Sequence, residues 1–127
     1  MIISFIGFKE RRMAVALYDH RGQVLGWLVQ NGRIINRQGR SSYWLLGNNV
    51  YDYRGAHRGW FQNGHWRGRD GGVMAFTGDA SGTGVVLPVR SVTPVMPVQA
   101  VEPVRPVASV APVRPGNQLS WSRDSFA

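Results

Sequence analysis

Four stretches decide how this chain folds: DHRGQVLGW (19–27), NRQGRSSYW (36–44), DYRGAHRGW (52–60) and GRDGGVMAF (68–76). Set one above another, they share a glycine in the fourth place (Gly22, Gly39, Gly55, Gly71) and an aromatic in the ninth (Trp27, Trp44, Trp60, Phe76). The glycines stand 17, 16 and 16 residues apart, so the period is about one hairpin long. Asp19, Asn36 and Asp52 open the first three stretches, and Gly68 opens the fourth. An Asp or Asn that opens a four-residue turn caps its backbone N–H groups, and the closing glycine supplies positive φ.

Between these stretches lie Asn31-Gly32, Gly47-Asn48, Asn63-Gly64 and Asp79-Ala80. Asn-Gly between extended segments is the strongest short hairpin signal, because a type I′ turn needs positive φ twice. The intervening segments are rich in Val, Ile, Leu, Tyr and Trp, as strands are. The pattern predicts eight strands near 14–18, 23–29, 33–36, 40–46, 49–52, 56–62, 65–67 and 73–77, with no helix. One hairpin cannot bury its own apolar face, so the four must share a core. A radial arrangement around an axis leaves few open edges. The residue before each ring aromatic is small in three copies (Gly26, Gly59, Ala75) and is Tyr43 in the other, which predicts a close approach there. Ile2–Phe8 is expected to add an edge strand beside the last repeat.

On these residues, and above all on NNVYDYRGAHRGWFQNGHW (48–66) and GGVMAF (71–76), the chain resembles the bacterial four-fold beta flower proteins. The resemblance covers roughly residues 13–80 and implies an all-β fold of four hairpin petals around a pseudo-four-fold axis. It brings no established activity, so it transfers no functional residue. Gly68 and Phe76 depart from the pattern, and the tail after the repeats is read as lying outside it. The GW…NG…W rhythm is also similar to choline-binding wall-anchor hairpins, whose repeats are longer and follow a signal peptide.

All seven prolines fall between Pro88 and Pro115. That shift in composition divides the chain into a lead-in (1–12), the four-hairpin body (13–80), a Gly-rich linker (81–87), a Pro/Val-rich tail (88–115) and a closing segment (116–127). From Val86 to Val113 a valine occupies every third position, mostly preceded by proline from Pro88 onward. A period of three matches polyproline II, which has three residues per turn, and would put every valine on one face. The tail is therefore expected to be an extended arm that docks on a partner or drives self-association, or else a mobile linker. Spacings such as Pro94–Pro97 also suit an aromatic-groove partner.

The net charge of +8 suggests an anionic partner until it is divided. The first twelve residues carry +2, residues 13–80 carry +4 and the remainder +2, so the charge is spread out. Phosphate binding usually shows a concentrated patch. Arg37, Arg54, Arg58 and Arg69, with Arg40 and Arg67, recur near the predicted turns, so an arginine rim facing a nucleic acid or wall glycan is the alternative function. Trp66 and Trp121 break the aromatic rhythm and are the tryptophans expected at an exposed contact. The ring aromatics are expected in the core, although they also suit stacking on sugars or bases.

No catalytic group stands out, and no cofactor or metal is expected. Cysteine is absent. His20, His57 and His65 lack ligand spacing. Asp19 and Asp52 are explained by their turns, and the Gly78–Gly84 run has no lysine or following helix to make a phosphate loop. The start IISFIGF lacks a basic n-region and no apolar run approaches ~18 residues, so the expected location is the cytoplasm, with no membrane contact. The preferred reading is a non-enzymatic interaction or assembly module.

Overall fold

The computed structural model describes residues 14–126. Eight strands run up and down in sequence order: β1 Val15–Tyr18, β2 Val24–Val29, β3 Arg33–Asn36, β4 Ser41–Leu46, β5 Asn49–Asp52, β6 His57–Gln62, β7 His65–Arg67 and β8 Val73–Phe76. Every neighbour is antiparallel, and β8 pairs back to β1 through Tyr18 and Phe76 to close a barrel. The expected strands are all present, each end within one residue of its prediction. The β1–β8 seam is a single residue pair, against three or four between the other neighbours. The expected Ile2–Phe8 strand lies outside the described residues.

The turns explain why the chain reverses where it does. Asp19 Oδ1 accepts from the N–H groups of Arg21 (2.8 Å) and Gln23 (3.0 Å). Asn36 and Asp52 make the same pair of bonds, to Gln38 and Arg40 and to Arg54 and Ala56. At the far ends of the hairpins, Asn31-Gly32 and Asn63-Gly64 hold both residues at positive φ, as a type I′ turn requires. The opening turns of the four stretches (β1–β2, β3–β4, β5–β6, β7–β8) share one end of the barrel, because alternate connections of an up-and-down barrel do.

Alternation sends neighbouring residues to opposite sides of the wall. Leu17, Ile34, Tyr43, Val50, Trp66 and Ala75 point inward, and Tyr18, Trp27, Ile35 and Phe76 point outward. The small positions before the ring aromatics do allow close approach. A Cβ at Gly59 would fall 2.8 Å from Trp66 Nε1 and 2.1 Å from the Arg67 carbonyl oxygen. Tyr43 and Trp66 fill the space left by these small residues, meeting edge to face with centroids 4.8 Å apart. Trp66 is therefore not an exposed contact: its exposure is 0%, and its indole N–H donates to the Arg58 carbonyl. Phe126, from the far end of the chain, packs against both rings (5.2 and 6.0 Å).

Candidate functional site

The outward aromatics are buried against one another and under residues that follow β8. Residues 86–118 carry no helix or strand and lie along the barrel as a strap. The strap is tied to the four opening turns by one bond repeated four times. Ser91, Ala100, Ser109 and Gln118 donate their backbone N–H groups to the carbonyls of Gly22, Gly39, Gly55 and Gly71, at 2.8, 2.9, 3.0 and 3.0 Å. The donors stand nine residues apart, so three Pro-Val-x triplets of strap match one hairpin of barrel.

The four glycines are needed twice over at these crossings. Their φ values of +79°, +86°, +86° and +83° suit glycine alone among common residues. A Cβ would also fall 2.1, 2.2, 2.7 and 2.4 Å from the strap carbonyl oxygens of Val89, Val98, Val107 and Gly116. No side chain fits there while the strap is seated.

Above the outward rings the strap again repeats at nine residues, through Leu87, Met96, Arg105 and Arg114. Leu87 and Met96 pack on the cluster of Tyr18, Trp27 and Phe76. The Arg105 guanidinium lies 5.5 Å from the Trp44 ring centre, and that of Arg114 lies 5.7 Å from Trp60. Arg90 similarly covers Tyr18 at 5.7 Å. Between the two capped tryptophans the rings run on in contact: Trp44 on Tyr51 (5.1 Å), Tyr51 on His57 (5.3 Å), His57 on Trp60 (4.7 Å). Polar bonds set the register, among them Tyr51 O–H to the Ser109 carbonyl (2.9 Å) and Arg33 Nη1 to the Ala100 carbonyl (2.9 Å). Tyr53 donates to Glu102, which Arg105 also holds at 2.6 Å. Burial, and then that bond to a carboxylate, push the Tyr53 hydroxyl up to about 12. Glu102 is drawn below its ordinary range: burial opposes this, but the bonds from Arg105 and Tyr53 outweigh it.

Both ends of the strap are clamped at β7 and β8. Arg67, with 1% exposure, donates to the carbonyls of Thr83 (2.8 Å) and Gly82 (3.3 Å) before the strap, and of Gly71 (2.8 Å) and Gln118 (2.9 Å) at its end. It has left the arginine rim for the position that Tyr18 and Tyr51 occupy in their own repeats. Beyond the strap, Ser122 N–H donates to Val73 at 2.7 Å, and the Asp124 carboxylate accepts from Arg69 N–H at 2.9 Å. Gly68 makes room for this: a Cβ there would meet Ser122 Oγ at 2.4 Å and Asp124 Oδ2 at 2.7 Å. The fourth repeat thus gives up its capping side chain where the closing segment docks. Asp70 receives Gly72 N–H, Ser122 O–H and Arg123 N–H, and these bonds bring its carboxyl down although burial pushes the other way.

The ten valines take no part in this seating. From Val86 to Val113 each is 93–95% exposed, so the period-three face points away from the barrel. Among the expected binding residues, Arg37, Arg54 and Arg69 are exposed at the end of the barrel that bears the opening turns. Arg58 is drawn aside, 3.5 Å from Asp52 and over the Tyr43 ring. Trp121 is half-buried against Phe76 and His20. His57 is buried with Nε2 on Asn49 Oδ1 (3.0 Å) and Nδ1 without a partner. Among the described residues no three His, Asp or Glu gather as metal ligands, and no helix is long and apolar enough to cross a membrane.

The model of a known family, the 4-fold beta flower proteins, matches residues 15–127, and the chain belongs to that family. The match extends past residue 80 through the strap and the closing segment, so both belong to the family's pattern. No curated protein and no solved structure matches the chain.

Proposed function

For this beta flower protein we propose a non-enzymatic role in interaction and assembly, in which the barrel is the platform and the strap presents its valine row to a second protein chain. The observation that carries this reading is the division of labour along the strap. The residues between the valines make the contacts to the barrel, yet valine recurs at all ten outward positions, where packing on the barrel demands nothing. Burying one valine fully contributes about 1.5–3 kcal/mol, and association costs ~4–15 kcal/mol. A partner must therefore cover several triplets, which favours an extended contact along the strap over a single pocket. A second copy of the chain is the first partner to test.

Light scattering after size exclusion tests this on the full chain. Replacing Val92, Val95, Val98 and Val101 by threonine keeps the β-branching that favours extended backbone and removes the apolar face. At up to ~100 µM, below the concentration at which one strap competes with another, the parent is expected to exceed the monomer mass and the variant to return to it. A parent that stays monomeric up to ~100 µM, well above the micromolar range of ordinary specific complexes, sinks self-association.

One observation favours a second reading: Arg37, Arg54 and Arg69 stand exposed at the same end of the barrel. Here an anionic polymer binds the rim. Its affinity for a fluorescent oligothymidine should fall steeply between about 50 and 200 mM salt. Salt-independent binding, or none, removes this reading.

A further inference from the structure

We infer that the outer face of the barrel is a receptor groove for extended proline-rich strands, and that the strap of a second copy occupies it in trans, so that two chains strap one another reciprocally. The inference concerns the barrel-facing side of the strap and does not rest on the valine row.

The eight strands close into a barrel with no strap residue among them, the β1–β8 seam resting on the Tyr18–Phe76 pair. The strap adds no strand pairing, and the single bridge, Val73 to Trp121, belongs to the closing segment, so the strap lies on the barrel as a peptide lies on a folded surface. The surface has the parts that recognise proline-rich peptides elsewhere: aromatic rings in a row, with hydrogen-bond partners at fixed intervals. Trp27, Trp44 and Trp60 supply the rings, and the turn-glycine carbonyls supply the acceptors.

Prolines mark the same register. Pro97, Pro106 and Pro115, nine apart, sit beside Gly39, Gly55 and Gly71, with ring carbons 3.5, 3.7 and 3.5 Å from where a Cβ would stand. At each of these crossings the proline lies against the turn and the amide three residues on donates to the glycine carbonyl. The chemistry is local and repeated, so an identical strap from another molecule satisfies it equally well. The joint that an exchange needs follows the clamp: Gly84, at positive φ, comes directly after the Gly82 and Thr83 carbonyls that Arg67 holds, so the strap can leave its own barrel there without releasing those two bonds. Exchange of an identical element through such a hinge is a low-cost route to a dimer. Concentration decides between the two forms, because a tethered strap competes at an effective concentration on the order of 1 mM.

The chain has no cysteine, so engineered ones report without background. Ser109 N–H is bonded to Gly55, which places residues 56 and 109 side by side. Full-length A56C and S109C are denatured together at ~1 mM, a concentration matched to the tether, refolded and oxidised, and compared with the A56C/S109C double variant at low concentration. The double variant is expected to close within one chain. The mixed single variants are expected to give a disulfide-linked A56C–S109C pair whose yield rises with concentration and is absent when either is refolded alone. If the double variant closes and the mixture yields no mixed pair at any concentration, trans occupancy is wrong. Should residues 56 and 109 fail to close in cis, Q23C with S91C repeats the test at the first crossing. The four-valine-to-threonine variant should keep this cross-link, which separates failure of the groove from failure of the valine row.

Discussion

Replacing Gly39 by alanine, with Gly47 as its control, isolates the energy of one strap crossing. Both glycines sit at positive φ, +86° and +61°, so both substitutions force an L-residue into the left-handed region, at about 1–2 kcal/mol each. They differ in what the new methyl meets. At Gly47 nothing lies within 4 Å, whereas at Gly39 the Val98 carbonyl oxygen stands 2.2 Å away and its carbon 3.2 Å away. A 2.2 Å contact cannot be tolerated, so the strap must lift at that turn. Lifting breaks the bond from Ala100 N–H to Gly39 and pulls on the one from Arg33 to the Ala100 carbonyl. Each such bond contributes about 0.5–1.5 kcal/mol net. The expected losses are ~1–2 kcal/mol for Gly47→Ala and about 2–5 kcal/mol for Gly39→Ala. Urea unfolding of the full chain, followed by tryptophan fluorescence, reads both from the midpoints at constant slope. Equal losses at the two positions would mean that nothing rests on Gly39, and the docked strap would have to be abandoned.

Three further outcomes are expected. His57 and His65 are held below their ordinary value of 6.5, by burial first and neighbouring arginines after it, so the unfolded chain takes up protons that the folded one resists. Stability is then complete above pH 6.5 and falls as pH drops from there toward the lower folded values; His57→Gln, which keeps a donor for Asn49, should flatten the melting temperature between about pH 7 and 5, and an unchanged slope would remove His57 from the explanation. Arg67→Met leaves the Thr83, Gly82 and Gln118 carbonyls without their donor and should cost about 2–4 kcal/mol. Arg67→Lys should recover only part, because a point cation cannot span both strap ends, and full recovery in chemical denaturation would argue against the clamp. In a spectrophotometric titration Tyr53 should ionise only near pH 12, and Tyr53→Phe should remove that late step.

The hairpins were legible because their signals are local. Asx caps, positive-φ glycines and Asn-Gly pairs act within four residues, and alternation between them needs no partner to be read. Two features needed the partner. Trp66 stands in a three-residue strand, His65-Trp66-Arg67, that is buried on both faces, so alternation gives no clue to which side is wet. Its interior place follows from pairing with Ala75 and from the space left by Gly59, and those cross-strand relations appear only once the register is known. The strap hid its register under a louder period. Valine at every third residue draws the eye to the outward face, while the seating side repeats at nine through Leu87, Met96, Arg105 and Arg114. That sequence signal was present, as was the oddity of Arg67 standing four residues before its glycine, where the other repeats have Tyr18, Ile35 and Tyr51. The departure at Gly68 likewise became intelligible only with Asp124 and Ser122 beside it.

Amide hydrogen exchange along the tail tests the docked strap most directly. Slow exchange is expected at Ser91, Ala100, Ser109 and Gln118, nine residues apart, with fast exchange at the valine amides between them, such as Val92, Val101 and Val110. Uniformly fast exchange from residue 86 to 118 would show that the strap does not lie on the barrel, and the glycine crossings would fall with it.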